Sequence, residues 1–207
     1  LVCRGSGGWA GLPPNTVGFV LRDGGSGADP SWVGGMTLVA SGTVSSAATL
    51  DITIPSGYRK FLLIVDDFVP ATSNNGLGLR FSFDNGSTYK SAASDYFWTV
   101  NYWNTVAVGG GFDSSTGGTT QINIGPATTG LSNTAGLVQS FTLDIYPGTA
   151  SKRASVLQRA FQQGTASTFG SSGGGASIYN GPLTNIRLFF TAGGNISTGF
   201  YALYGVA

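Results

Sequence analysis

Alternation of apolar and polar residues with a period of two is the feature that most limits how this chain can fold. It is clearest at residues 50–54, 77–83, 141–145 and 186–190, and a Pro, Gly or Asn-Gly turn signal follows each run. This period places successive side chains on opposite faces of a β-strand and does not fit a helix. Residues that favour helices are scarce, since all nine acidic residues are Asp and the chain has one Met. We therefore predict an all-β protein.

Two further apolar stretches predict strands inside a sheet. Residues 61–65 are apolar without interruption, which favours a central strand buried on both faces. Residues 199–206 form an apolar ending that would fray unless it were paired within a sheet. Turn signals separate about nine or ten strands, and 41% of the 207 residues are hydrophobic. We predict an antiparallel β-sandwich of jelly-roll type at residues 33–207, preceded by an extended N-terminal arm at residues 1–32.

Charge excludes several classes of partner. Charged residues make up 9% of the chain and the net charge is +1, so no binding of nucleic acid is predicted. No apolar run reaches the ~18 residues of a membrane-spanning helix, so no membrane insertion is predicted.

The one methionine is Met36, and we expect the native product to continue N-terminally or to be processed.

The residue types present also limit the chemistry. Histidine is absent and Cys3 is the one cysteine, so a Ser-His-Asp triad and an imidazole metal site are both excluded. We predict no enzymatic activity, no cofactor and no metal. Glycoside hydrolysis needs only two carboxylates, so a polysaccharide depolymerase that uses Asp residues stays an alternative. Asp66 and Asp67 would point to opposite faces of a strand. Residues 84–86 indicate a turn, with a calcium site as the alternative.

The aromatic stretch at residues 96–104 is the best candidate for a binding surface. On a strand, Trp98 and Tyr102 share one face, while Asn101 and Trp103 share the other. One face is expected to be core. The second combines aromatic and amide groups, which suits a sugar and equally suits a subunit interface. The predicted carbohydrate contacts are Asp95, Trp98, Asn101, Tyr102, Trp103 and Asn104.

Two segments rich in Gly, Ser and Thr, residues 109–120 and 164–181, are predicted to be long loops. They are too long for hairpin turns and poor in apolar anchors. Long loops on rigid sandwiches are either binding elements or mobile tips.

Residues 18–32 are predicted to form a joint between the arm and the sandwich. The apolar residues 19–21 are stopped by a Gly/Ser segment that favours a chain reversal. Pro30 then holds the exit extended, and Trp32 provides a large anchor. The segment resembles a Gly-x-Val-Leu-x-x-x-Gly-x-Gly-Ala-x-Pro-x-Trp pattern that many bacteriophage tail-fibre and tailspike proteins carry where a shaft meets a globular head. It matches that pattern at Val20, Leu21, Gly25, Gly27, Ala28, Pro30 and Trp32.

The ending at residues 203–205, Leu-Tyr-Gly, resembles the last strand of small β-sandwich heads in phage structural proteins. Together the resemblances imply a virion protein, the C-terminal head of a tail fibre or tailspike, on the tail rather than the capsid. They imply a homotrimer that joins other virion proteins through its arm and binds a glycan of the host cell surface. The alternative is a capsid decoration or head-fibre protein without a ligand. The residues expected to pack in the arm and joint, against symmetry mates or against their own head, are Trp9, Leu12, Val20, Leu21, Pro30 and Trp32.

Overall fold

The structure is a computed structural model. It describes residues 2–5, 8–11, 19–22, 31–73, 75–105, 109–115, 118–126, 130–134, 137, 139–163 and 168–207, with side chains from residue 35 onward. Strands and turns make up these residues, and none of them is in a helix. In chain order the strands are β1 (Val2–Gly5), β2 (Gly8–Gly11), β3 (Phe19–Arg22), β4 (Ser31–Gly34), β5 (Met36–Ala47), β6 (Thr49–Thr53), β7 (Lys60–Pro70), β8 (Leu77–Ser82), β9 (Tyr96–Asn104), β10 (Gly109–Ser114), β11 (Ile122–Ile124), β12 (Gln139–Tyr146), β13 (Arg153–Gln163), β14 (Thr168–Asn180), β15 (Asn185–Phe190) and β16 (Ile196–Val206).

Most strands belong to two antiparallel sheets. The large sheet has eight strands in the order β10-β9-β14-β13-β12-β7-β16-β5, and the small sheet has four in the order β11-β8-β15-β6. The prediction of an all-β antiparallel sandwich is confirmed, and the jelly-roll connectivity stays a prediction. In the part of the chain that the structure describes, there is no helix of the length and apolar character needed to cross a bilayer.

The core lies between the two sheets. Phe61, Leu63 and Val65 of β7 are fully buried on the inner face of the large sheet. Near the end of the same strand, the ring centre of Phe68 lies 5.5 Å from that of Phe190 and 5.9 Å from that of Phe141. The residues that the small sheet contributes to this core include Ile52, Leu79, Phe81, Ile186 and Leu188.

The strand β7 is central, as predicted, but only one of its faces is fully buried. It pairs with β12 on one side and β16 on the other. Leu62 and Ile64 point away from the core and are only half-buried. The expectation of burial on both faces is therefore wrong, because no layer of the described chain covers this side of the large sheet completely.

The predicted loop at residues 164–181 is mostly a strand. β14 lies in the middle of the large sheet, between β9 and β13. Its glycines allow close neighbours, since a β carbon at Gly173 would clash with the carbonyl oxygen of Thr99. The groups that pack against β14 thus belong to the adjacent strands. The composition of residues 164–181 alone does not indicate this. The other predicted loop, at residues 109–120, likewise contains β10.

The N-terminal segment contains two hairpins. β1 pairs with β2, and β3 pairs with β4 in a register that sets Leu21 opposite Trp32. The reversal predicted at residues 18–32 is confirmed, because β3 and β4 are antiparallel. The packing expected for this segment is outside what the structure describes, because Leu12 and Pro30 lie outside the described residues, as do the side chains of Trp9, Val20, Leu21 and Trp32.

Candidate binding face on the large sheet

The aromatic strand β9 divides its side chains between the core and the opposite surface. Tyr96, Trp98 and Val100 are buried, whereas Phe97 and Trp103 are exposed. This division follows the period of two that the sequence predicts. We call the surface of the large sheet that faces away from the small sheet the outer face.

The six predicted carbohydrate contacts do not share one surface. Trp98 is 7% exposed, and its Nε1 donates a hydrogen bond of 3.1 Å to Thr119 Oγ1. Asp95 is buried, and its carboxylate accepts hydrogen bonds from the Ala92 amide and the Tyr179 hydroxyl. Both side chains are therefore part of the protein interior and are not available to a ligand on the surface. Tyr102 and Asn104 alternate with the outer-face residues and are half-buried, while Asn101 and Trp103 lie on the outer face.

Exposed apolar residues concentrate on this outer face. The strand registers place every large exposed apolar side chain of the described residues there. These residues are Met36, Leu38, Phe97, Trp103, Phe112, Tyr146, Leu157, Phe161 and Phe200. Large contiguous apolar patches on folded proteins are typical of interaction sites.

The opposite surface of the molecule, on the small sheet, has a different character. Arg187 forms a two-point ion pair with Asp51 at 2.6–2.7 Å, and its guanidinium lies 3.9 Å from the centre of the Tyr89 ring. Arg80 lies 4.5 Å from the centre of the Phe189 ring. Charged groups thus cover these two aromatic rings, whereas Phe97, Trp103 and Phe161 on the outer face are exposed.

Two rows of side chains cross the outer face and form a groove. Their members lie opposite one another on β7, β12, β13, β14 and β9. The first, the aromatic row, is Asp66, Ser140, Phe161, Gly170 and Trp103. The second, the polar row, is Ile64, Thr142, Arg159, Ser172 and Asn101. A hollow of about 760 Å³ lies along the aromatic row, and a second hollow of about 900 Å³ lies on the other side of the polar row.

Trp103 lies against the neighbouring strand, over the glycine opposite it. A β carbon at Gly170 would lie 2.5 Å from Trp103 Nε1 and 2.7 Å from Cε2. The indole therefore occupies the space that a side chain at position 170 would need. It is still 57% exposed, so part of the ring is available to a ligand. Phe161 lies two strands away in the same row, a backbone separation of about 10 Å.

The charged groups near the groove differ in the ion pairs and hydrogen bonds that they form. Lys60 Nζ lies 2.8 Å from Asp144 Oδ1, and this hydrogen bond raises the pKa of Lys60. Asp66 accepts hydrogen bonds from the Ser140 hydroxyl and from the Asp67 amide. Arg159 lines both hollows.

The polar row was not predictable from the sequence, because its members come from five strands that are distant along the chain. The alternation within β13 indicates that Arg159 is on one face with Leu157 and Phe161. It does not indicate that Thr142 and Ser172 flank Arg159, because the order of strands in a sheet is not readable from alternation.

The Asp residues of the described chain are spread over separate elements. Asp51 pairs with Arg187 on the small sheet, and Asp144 pairs with Lys60 on the large sheet. Asp84 accepts hydrogen bonds from the Ser82 hydroxyl at 2.6 Å and from the Thr88 amide at 2.9 Å, as in a turn. Within the described residues, no group of three or more His, Cys, Asp or Glu side chains is arranged to hold a metal ion.

Comparisons of the chain with protein-family models, with curated proteins and with solved structures found no significant match.

Proposed function

We propose that this protein is the non-enzymatic head of a phage tail fibre or tailspike and binds host polysaccharide in the groove of its outer face. The assignment to a virion rests on the resemblance of residues 18–32 to the shaft–head joint of such proteins. The binding proposal rests on one observation above all. Trp103 lies over Gly170 beside a row of polar side chains.

This arrangement suits a sugar for chemical reasons. A pyranose ring has apolar C–H faces and a rim of hydroxyl groups, so it needs a flat apolar surface with hydrogen-bond partners at its edge. Trp103 and Phe161 supply the apolar surface. Asn101, Thr142 and Ser172 supply amide and hydroxyl groups in the adjacent row. Binding sites commonly combine mostly apolar walls with a few placed polar groups.

The resemblance further implies a homotrimer, and the outer face has room for both a ligand and a subunit contact. Met36, Leu38 and Phe200 lie on β5 and β16, at the end of the large sheet away from Trp103. In the proposed assembly these residues pack against a second copy, while the strands from β9 to β7 stay open to the glycan. The N-terminal arm joins the trimer to other virion proteins, on the tail rather than on the capsid.

One observation favours a second candidate function, a structural virion protein without a ligand. The exposed apolar residues extend across the whole large sheet rather than around the groove alone. A neighbouring virion subunit that covered the complete outer face would bury all of them. In that case the groove would not be accessible to a polysaccharide.

The test is binding of the full chain to a panel of bacterial surface polysaccharides, including those of the host, measured by calorimetry. We expect saturable binding of one polymer class, weakened by about tenfold or more in Trp103→Ala, since such a contact contributes more than about 1.4 kcal/mol. The matched control is Phe97→Ala, an exposed aromatic on the same strand and face that lines neither hollow. It is expected to bind normally. A folded protein that binds no polymer would favour the structural alternative.

A further inference from the structure

Arg159 is a cation in the middle of the outer face. It is exposed, and it lines both hollows. Nearby, Lys60 is neutralised by Asp144, and Asp66 is engaged by Ser140. Among the residues that the structure describes, by contrast, Arg159 forms no ion pair and its side chain forms no hydrogen bond. This guanidinium is therefore available to a ligand.

The neighbours of Arg159 place hydroxyl groups and apolar side chains beside its charge. Thr142 of β12 and Ser172 of β14 lie directly opposite it on its two sides. Their hydroxyls make no hydrogen bond within the described residues. Leu157 and Phe161, two positions away along β13, are exposed apolar groups on the same face. Apolar neighbours reduce the screening by water, which strengthens an ion pair formed there.

We propose that the glycan bound in the groove is acidic and that it places an anionic group on Arg159, between the hydroxyls of Thr142 and Ser172. The guanidinium donates hydrogen bonds in a planar fork that matches a carboxylate or a phosphate. The two hydroxyls donate further hydrogen bonds to the remaining oxygens. This inference rests on the proposed function, since it names the class of polysaccharide that the groove accepts.

The negative charge of Asp66 limits how closely the anionic groups of a bound polymer can follow one another. It lies in the aromatic row on β7, two strands from Arg159, and it lines the same hollow. A second anionic group placed there would be repelled. Among polymers with the same anionic group, one with neutral units between its charges is therefore expected to bind more tightly than one charged on every unit.

The experiment compares acidic polysaccharides with their neutralised forms. The full chain is titrated by calorimetry with uronic-acid capsular polysaccharides, with the same polymers after reduction of their carboxyl groups, and with a poly(glycerol phosphate) teichoic acid. We expect binding of an acidic polymer that weakens by about tenfold or more when its carboxylates are reduced or in Arg159→Gln, as hydrogen bonds to charged groups predict. Binding confined to the teichoic acid and lost in Arg159→Gln would identify phosphate as the anionic group.

Two variants serve as controls. Arg159→Lys keeps the positive charge but loses the planar guanidinium that donates two parallel hydrogen bonds. It is therefore expected to bind the polymer more weakly than the wild type, while its affinity depends on salt as that of the wild type does. Asp66→Asn removes the repelling charge and is expected to bind acidic polymers at least as tightly as the wild type. If a neutral polymer binds through Trp103 and Arg159→Gln changes nothing, the inference is wrong and the proposed function stands. If no polymer binds at all, both are wrong.

Discussion

Trp103 on β9 and Gly170 on β14 fit together as a pair, because the indole lies where the side chain of residue 170 would otherwise be. The pair explains two features at once. A glycine is needed at this position of β14, although glycine weakens a strand. The indole, in turn, lies close to the backbone of β14 although it is bulky and more than half exposed.

The first prediction concerns this pair. In Gly170→Ala the new methyl group meets the indole of Trp103, which is exposed and can swing away. We expect a small loss of unfolding free energy, about 1 kcal/mol, together with weaker glycan binding. The indole N–H resonance of Trp103 should shift in two-dimensional NMR spectra. An unchanged resonance with unchanged binding would contradict the arrangement.

The second prediction concerns Gly173, farther along the same strand. A β carbon there would clash with the backbone carbonyl oxygen of Thr99, and neither backbone can move aside as a side chain can. Gly173→Ala is therefore expected to lower the unfolding free energy by about 3 kcal/mol or more, measured by urea denaturation. A loss no larger than that of Gly170→Ala would contradict the close spacing of β9 and β14.

The third prediction concerns Gln158, a buried residue that ties the two sheets together. Its Nε2 donates a hydrogen bond of 3.0 Å to the Asn123 carbonyl, and its Oε1 accepts one of 3.3 Å from the Gly125 amide. Gln158→Leu leaves both backbone groups without this partner. We expect a loss of about 2–4 kcal/mol in unfolding free energy, seen as a lower urea midpoint. The control is the exposed Arg159→Gln on the same strand, which should change stability by less than about 0.5 kcal/mol.

The fourth prediction is a pH dependence at Asp84. Hydrogen bonds from the Ser82 and Thr88 side chains lower the pKa of Asp84 from 3.8 to about 2 in the folded protein. Because the folded pKa is the lower one, the stabilisation is present above the unfolded pKa and is lost as the pH falls from about 4 towards 2. The urea midpoint of the wild type should exceed that of Asp84→Asn at neutral pH, and the difference should shrink over this range. A difference that stays constant would contradict the assignment.

The fifth prediction compares two buried serines of β14. Ser171 Oγ has no hydrogen-bond partner within the described residues, whereas Ser177 Oγ accepts a hydrogen bond of 3.0 Å from the Tyr179 amide. Removing an unsatisfied buried hydroxyl relieves its desolvation cost, so Ser171→Ala should raise the unfolding free energy by about 1 kcal/mol. Ser177→Ala should lower it. If thermal unfolding showed that both substitutions change the unfolding free energy by the same amount and in the same direction, this account would be contradicted.

The regular strands of this fold were predictable because their alternation is set by the core. Ile186 and Leu188 face inward on β15, and the polar residues next to them face outward. The same rule separates Trp98 from Trp103. The predicted contact set nevertheless combined residues of both faces, and of its members only Asn101 and Trp103 lie on the outer one.

The central position of β14 was not predictable from its own residues. Gly170 and Gly173 carry no side chain, and the groups that pack there belong to β9. The polar row was missed for a related reason. Arg159, Thr142 and Ser172 become neighbours only through the order of β12, β13 and β14 in the sheet.

The position of β5 determines how this fold would carry a mechanical load. Met36 begins this strand and pairs with Val206, near the end of β16. Hydrogen bonds between antiparallel strands are perpendicular to the strand axis. A pull along β5 therefore loads the bonds to β16 together, in shear, instead of opening them one after another. If the protein is attached through the residues before Met36, as the proposed function requires, β5 is the strand that takes up the load, and its whole set of bonds to β16 resists it.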